Sequence, residues 1–216
     1  MANDNYRPKE SPFHIVRVGH LPFGVSAREI SMAFEPFGII KNLYLKRRIA
    51  KNSEVLLDNP FVILVFDNPE CVNQIMASRP FYIRDCLLFV RRFMPITPEY
   101  PDDAFLTVRK IVVRVPSAEN DSILPDDQTI VDYLSVVNGT IVFFERLDDR
   151  TVLIQFDDYD PVDRCCLMRP HFINDQLIEI EKCSDENQVR YRIECQRKYW
   201  KEMIISFETY VCIYLD

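Results

Sequence analysis

The sequence predicts an α+β fold built from two tandem βαββαβ domains, each a four-stranded antiparallel sheet with two helices on one face. Three observations predict it. Short apolar runs alternate as half-buried strands do. Between them lie segments with apolar residues at steps of three and four, opening on capping residues and stopping at Gly. The whole order then recurs once, after a connector of about 16 residues that holds three Pro.

In the first copy, HIVRVGHL (14–21) alternates as a strand, and Pro22 and Gly24 break it. Ser26 can cap a helix, with Glu29 at capping-box spacing. Ile30, Phe34 and Phe37 share one face of that helix, and Gly38 ends it. IIKNLYLKRR reads as the second strand, a charged loop follows, and NPFVILVF (59–66) reads as the third. NPECVNQIMASRP gives a helix with Val72, Ile75 and Met76 on one face, and CLLFVRRF closes the unit as a strand.

The second copy repeats this order. KIVVRV (110–115) is a strand, and DDQTIVDYLSVVNG (126–139) is a helix with Ile130, Tyr133, Leu134 and Val137 inward. TIVFFERL and DRTVLIQF are strands turning at Asp148–Asp149, PVDRCCLMRP is a short helix, and QLIEIEKC is the last strand. The expected organisation is a disordered start over 1–13, domains over 14–93 and 110–183, a linker over 94–109, and a C-terminal helix and apolar tail over 184–216. Such a split βαβ plan is ferredoxin-like.

Composition narrows the function classes. The 216 residues carry a net charge of −7. Four Gly leave no Gly-rich phosphate loop, and no apolar run of 18 residues predicts a membrane span. The polar, Pro-bearing start does not read as a signal peptide. Seven Cys with no CxxC pair predict free buried thiols, with neither a disulfide framework nor structural zinc. His14, His20 and His171 are far apart, and the acidic pairs sit in turns. The expectation is therefore no enzyme, no cofactor, no metal and no small-molecule substrate.

VRVGHL followed by Pro resembles the shorter signature strand of the RNA recognition motif, and NPFVILVF its longer one. ASRPFYIRDCLLFVRRF, FLTVRKIVV, FDDYDPVDR and HFINDQLIEIEK resemble the tandem motifs of the heterogeneous nuclear ribonucleoprotein A/B family, over about residues 14 to 183. The resemblance implies single-stranded RNA as partner, work in pre-mRNA processing or splicing, and a nuclear location with the cytoplasm left open. It also implies three aromatics on each sheet face, which stack bases.

The matching positions have drifted. In the first domain they fall on Arg17, Phe61 and Ile63, so one ring of three remains. Arg17 can stack its guanidinium plane, and Ile63 can offer apolar contact. The basic residue and Gly that normally open the long signature are Asn59 and Pro60 here. In the second domain the three positions are Val112, Thr151 and Leu153, with Asp149 and Arg150 ahead of them. Charge splits the same way. Residues 14–93 hold 11 Lys/Arg against 7 Asp/Glu, a net of +4, while residues 110–183 hold 7 against 15, a net of −8. Only the first domain has the sign that phosphate needs. Its candidate phosphate contacts are Lys46, Arg47, Arg48, Lys51, Arg91 and Arg92, each weighed against the plain reading of a solvated surface charge.

The resemblance further implies bridges between the domains, from Arg79 and Arg92 to Asp158 and Asp160. Residues 186–203 read as a helix anchored by Val189, Ile193, Tyr199 and Trp200, and IISFETYVCIYLD as a strand or plug able to cover the second sheet. The main reading is weak single-stranded RNA binding through the first domain. The alternative is a protein-interaction module on degenerate motifs, with a partner on the apolar sheet face of the second domain.

Overall fold

The computed structural model describes residues 11–46, 60–116 and 122–183. The expectations for residues 1–10, Arg47, Arg48, Lys51, Asn59 and the segment 184–216 lie outside these residues, while Pro12–His14, partly within the start expected to be disordered, forms a 3-10 turn. The chain divides into two compact units between Pro95 and Ile96.

In the first unit the order is β1 (Ile15–Gly19), α1 (Ala27–Phe34), β2 (Ile40–Lys46), β3 (Phe61–Phe66), α2 (Pro69–Ala77), a small hairpin β4 (Tyr82–Ile83) and β5 (Cys86–Leu87), then β6 (Phe89–Arg92). The main sheet is antiparallel in the order β2-β3-β1-β6. Alternation decides its inner face. Val16, Val18, Val62, Leu64, Phe66 and Val90 are buried, along with Ile30 and Phe34 of α1 and Val72 and Ile75 of α2.

The capping box forms as its spacing predicts. The Ser26 Oγ accepts from the Glu29 backbone N–H at 3.2 Å, and the Glu29 carboxylate accepts from the Ser26 N–H at 2.9 Å. Arg84, at the β4–β5 turn, donates to the same carboxylate through Nε and Nη2, both at 2.7 Å. These donors hold the Glu29 carboxyl well below the usual range, at about 2. The α1 helix tightens into a 3-10 turn over Glu35–Phe37 and stops at Gly38. Gly38 has φ +148°, and a Cβ there would stand 2.3 Å from the Cys71 sulfur, so no other residue fits.

The second unit repeats the plan: β7 (Lys110–Arg114), α3 (Asp127–Leu134), β8 (Ile141–Asp148), β9 (Thr151–Phe156), α4 (Asp160–Leu167), β10 (His171–Ile173) and β11 (Gln176–Cys183). Its sheet runs β10-β11-β7-β9-β8. The expected four strands thus become five, because β10 adds to the outer edge of β11. Both units turn their small hairpins on two residues of positive φ, Arg84–Asp85 and Asn174–Asp175. Two-residue hairpins require that geometry, and Asn and Asp tolerate it. The strands β4, β5 and β10 are two or three residues long, too short for alternation to show in the sequence. The core joins Ile111, Val113, Val152, Ile154 and Phe156 of the sheet to Ile130, Leu134, Val162 and Cys165 of the helices.

Part of the stretch between the two motifs packs on the second unit. The Lys182 Nζ, almost wholly buried, donates to the Asp103 carbonyl at 2.9 Å, the Leu106 carbonyl at 2.8 Å and the Asp163 carboxylate at 2.5 Å. Arg169 bridges the Asp103 carboxylate, donates twice to the Ile180 carbonyl and lays its guanidinium 3.7 Å from the Tyr100 ring centre. A buried Lys with three oxygen acceptors satisfies all its donors, which is the condition for tolerating the charge.

Candidate nucleic-acid interface

Strand register lays out the first unit's outer face in rows, because directly paired residues share a face. The middle row is Tyr44, Ile63, Arg17 and Arg91. On one side of it lie Lys46 opposite Phe61, and Gly19 opposite Phe89. On the other lie Asn42, Val65 and Ile15, with Phe93 donating its N–H to the Ile15 carbonyl at 3.0 Å. Ile15, Ile63 and Val65 are buried and form an apolar floor against which Tyr44, Phe61 and Phe93 pack.

The sequence positions Arg17, Phe61 and Ile63 therefore do share one face, but in different roles. Ile63 is only 4% exposed, so it supports the rings around it. The Arg17 guanidinium carbon stands 4.6 Å from the Phe61 ring centre, a cation–π contact on the diagonal between neighbouring strands. Burial lowers the Arg17 pKa, and the nearby charge of Arg91 lowers it further. The face is thus desolvated and positive at its centre.

Tyr44, Phe89 and Phe93 are aromatic members of this face that sequence reading missed. The signal was present. Tyr44 sits two residues before Lys46 in the second strand, and once the β2–β3 register is known it falls directly opposite Ile63. The ring absent at position 63 thus has a ring across the strand pair. Phe89 and His20 extend the face, with ring centres 5.7 Å apart.

Arg91 and Arg92 are adjacent in sequence, and strand alternation separates them. Arg91 pairs with Arg17 on the outer face. Arg92 pairs with Val16 and turns to the helix side, where its Nη2 donates to the Asn73 amide oxygen at 2.8 Å. Both are buried, at 2% and 1% exposure. Arg79 lies at the end of α2, donating to the Met76 carbonyl at 2.7 Å. In the second unit, the Asp158 carboxylate accepts from the Asp160 N–H at 2.7 Å as α4 begins.

The corresponding face of the second unit has a different chemistry. Its middle row is Glu145, Leu153, Val112 and Glu181. The next holds Thr151, Arg114 and Glu179. Arg114 donates to Glu179 at 2.8 Å and to Glu181 at 2.7 Å, so its charge is already matched. No ring occupies the three matched positions Val112, Thr151 and Leu153. Phe143, opposite Gln155, is an aromatic on the outermost strand.

The buried thiols fit no reactive role. Burial pushes Cys165 up to about 12 and Cys166 higher still, and a protonated, enclosed thiol is a poor nucleophile. Among the described residues no group of three or more His, Cys, Asp or Glu could hold a metal ion, and no helix is long and apolar enough to cross a membrane.

No family model matches the chain. Similar solved structures include the RNA binding domain of Hrp1 in complex with RNA, 18% identical over 81% of this chain and 99% of that one, with a TM-score of 0.34. RNA recognition domains 1 and 2 of Sex-lethal from Drosophila melanogaster are 15% identical over 79% and 99%, with a TM-score of 0.37. The first two such domains of yeast poly(U) binding protein Pub1 are 14% identical over 79% and 99%, at 0.32. The fold assignment itself rests on strand order and register: this chain is an α+β protein of two tandem βαββαβ units.

Proposed function

We propose that the chain binds single-stranded RNA through the outer face of its first unit, while the second unit does not stack bases. The observation that carries this reading is the Arg17–Phe61 contact on a face that also holds Tyr44, Phe89 and Phe93. Aromatic planes accept bases of any sequence, and cations between them neutralise phosphate. The second face offers glutamates where phosphate would sit. Affinity is lower than in proteins with three signature rings, since Phe61 already has Arg17 against it.

On the sequence resemblance, the work of this binding is pre-mRNA processing of the heterogeneous nuclear ribonucleoprotein A/B kind, in the nucleus. The test is ultraviolet crosslinking of the full chain to a uridine-rich oligonucleotide, with the adducts mapped by mass spectrometry. Adducts at Phe61 or Tyr44 support the reading. Adducts confined to residues 110–183 would reverse the roles of the two units.

A further inference from the structure

The second unit ends its sheet on β8, an eight-residue strand with no neighbour on its outer side among the described residues. Such an edge offers a row of unsatisfied backbone N–H and C=O groups. Of the devices that blunt such edges, Ile141–Asp148 lacks Lys and Pro but carries acidic side chains and two register shifts, so a strand that joins it must complement both. Three large apolar side chains stand out on it: Val142 at 54% exposure, Phe143 at 43% and Leu147 at 55%. Register shifts fall at Ile141/Phe143 and Arg146/Asp148, which leave Val142 and Leu147 outside the regular pairing.

The exposed charges along this edge are acidic, while Arg150, after the turn, donates to the Pro116 carbonyl at 3.1 Å. Glu145 lies between Phe143 and Leu147, Asp148 ends the strand and Asp149 opens the turn, all three exposed. The strand's basic residue, Arg146, is occupied on the helix side, donating to Asp127 at 2.7 Å and to the Pro125 carbonyl at 2.6 Å. Further in, Arg114 is held by Glu179 and Glu181.

We propose that β8 is a docking edge for an extended peptide of a partner protein, one that alternates basic and apolar residues and adds as a further strand. Backbone bonds to the open edge supply strand addition. Apolar side chains of the peptide cover Phe143, Val142 and Leu147, and its Lys or Arg meet Glu145 and Asp148. The site is separate from the RNA face of the first unit and stands or falls independently of it.

The experiment titrates the isotope-labelled full chain with a Lys-Val octapeptide, a Glu-Val octapeptide, and the Lys-Val peptide N-methylated at alternate residues. The expected result is shifts centred on Ile141–Asp148 with the Lys-Val peptide alone. Both Phe143→Ala and Glu145→Lys, exposed changes that leave the core intact, weaken that binding several-fold. Equal response to the Glu-Val peptide, unimpaired binding of the N-methylated peptide, or shifts elsewhere would overturn the proposal. So would concentration-dependent protection of β8 in the free chain, which would assign the edge to a second copy. Displacement of the peptide by RNA would assign it to nucleic acid.

Discussion

The Arg17 guanidinium lies against the Phe61 ring, 4.6 Å from its centre, so this ring of the first sheet's outer face already has a cation as neighbour. A base that stacks on Phe61 either takes the place of Arg17 or stacks beside it. The two residues therefore act on RNA as a unit. Phe61→Ala alone is expected to cost about 1–3 kcal/mol of RNA affinity, the usual worth of one stacked base. Adding Arg17→Ala should cost less than its own single effect, because residues in contact are not additive. A double-mutant cycle by fluorescence anisotropy measures this, and a purely additive result would mean that the ring and the cation touch RNA separately.

Tyr44 gives a sharper prediction, since it carries no signature position. Its place opposite Ile63 makes it a second stacking plane. Tyr44→Ala should weaken RNA binding by about 1–3 kcal/mol, while Leu153→Ala on the second sheet should leave it unchanged. Equal losses from both, in proteins with matched unfolding curves, would show that the two faces share the work.

Lys182 and Asp163 are both about 1% exposed and bond at 2.5 Å. Removing one partner strands the other charge in the core. Lys182→Met is expected to destabilise the second unit by about 3–5 kcal/mol. It should also release the stretch around Asp103 and Leu106, whose carbonyls accept from the same ammonium. Urea unfolding together with limited proteolysis reads both effects. A stable variant that is not cut faster within 97–107 would contradict the role given to Lys182.

His171 predicts a pH dependence. It is buried, its Nε2 lies 2.9 Å from the Cys165 carbonyl, and its Nδ1 lies 2.9 Å from the Tyr133 hydroxyl. The neutral ring fits if Nε2–H donates and Nδ1 accepts. Burial lowers its pKa below the ordinary 6.5. The unfolded chain then binds the proton more readily than the folded one, so this contribution to stability is complete above about 6.5 and declines as pH falls below it. Chemical denaturation of wild type and His171→Gln between pH 7.5 and 5 should show the decline flattened in the variant. Parallel curves would place the pH dependence elsewhere.

The strands and helices were legible in the sequence because alternation and capping act over short distances. Ser26 with Glu29 and Gly38 as a stop follow from neighbours in the chain, and the turn expected at Asp148–Asp149 falls one residue later, at Asp149–Arg150. The outer faces were harder to read. The split of Arg91 from Arg92 needs only the two-residue strand period, yet a basic doublet invites reading as one patch. Placing Tyr44 beside Ile63 requires the β2–β3 register, set across a long connection. The burial of Ile63 depends on Tyr44, Phe61 and Phe93 closing over it, a packing fact that side-chain type alone does not decide. The clasp of Lys182 on Asp103 and Leu106 joins residues more than 70 positions apart, beyond any local pattern.

The measurement that tests the central claim most directly is fluorescence anisotropy of a labelled random single-stranded RNA with the full chain, at low and near-physiological salt. The account predicts binding that weakens as salt rises and is largely lost when Phe61 and Arg17 are both changed to Ala, with the fold intact by circular dichroism. Absence of binding even at low salt, or binding untouched by the double change, would contradict it.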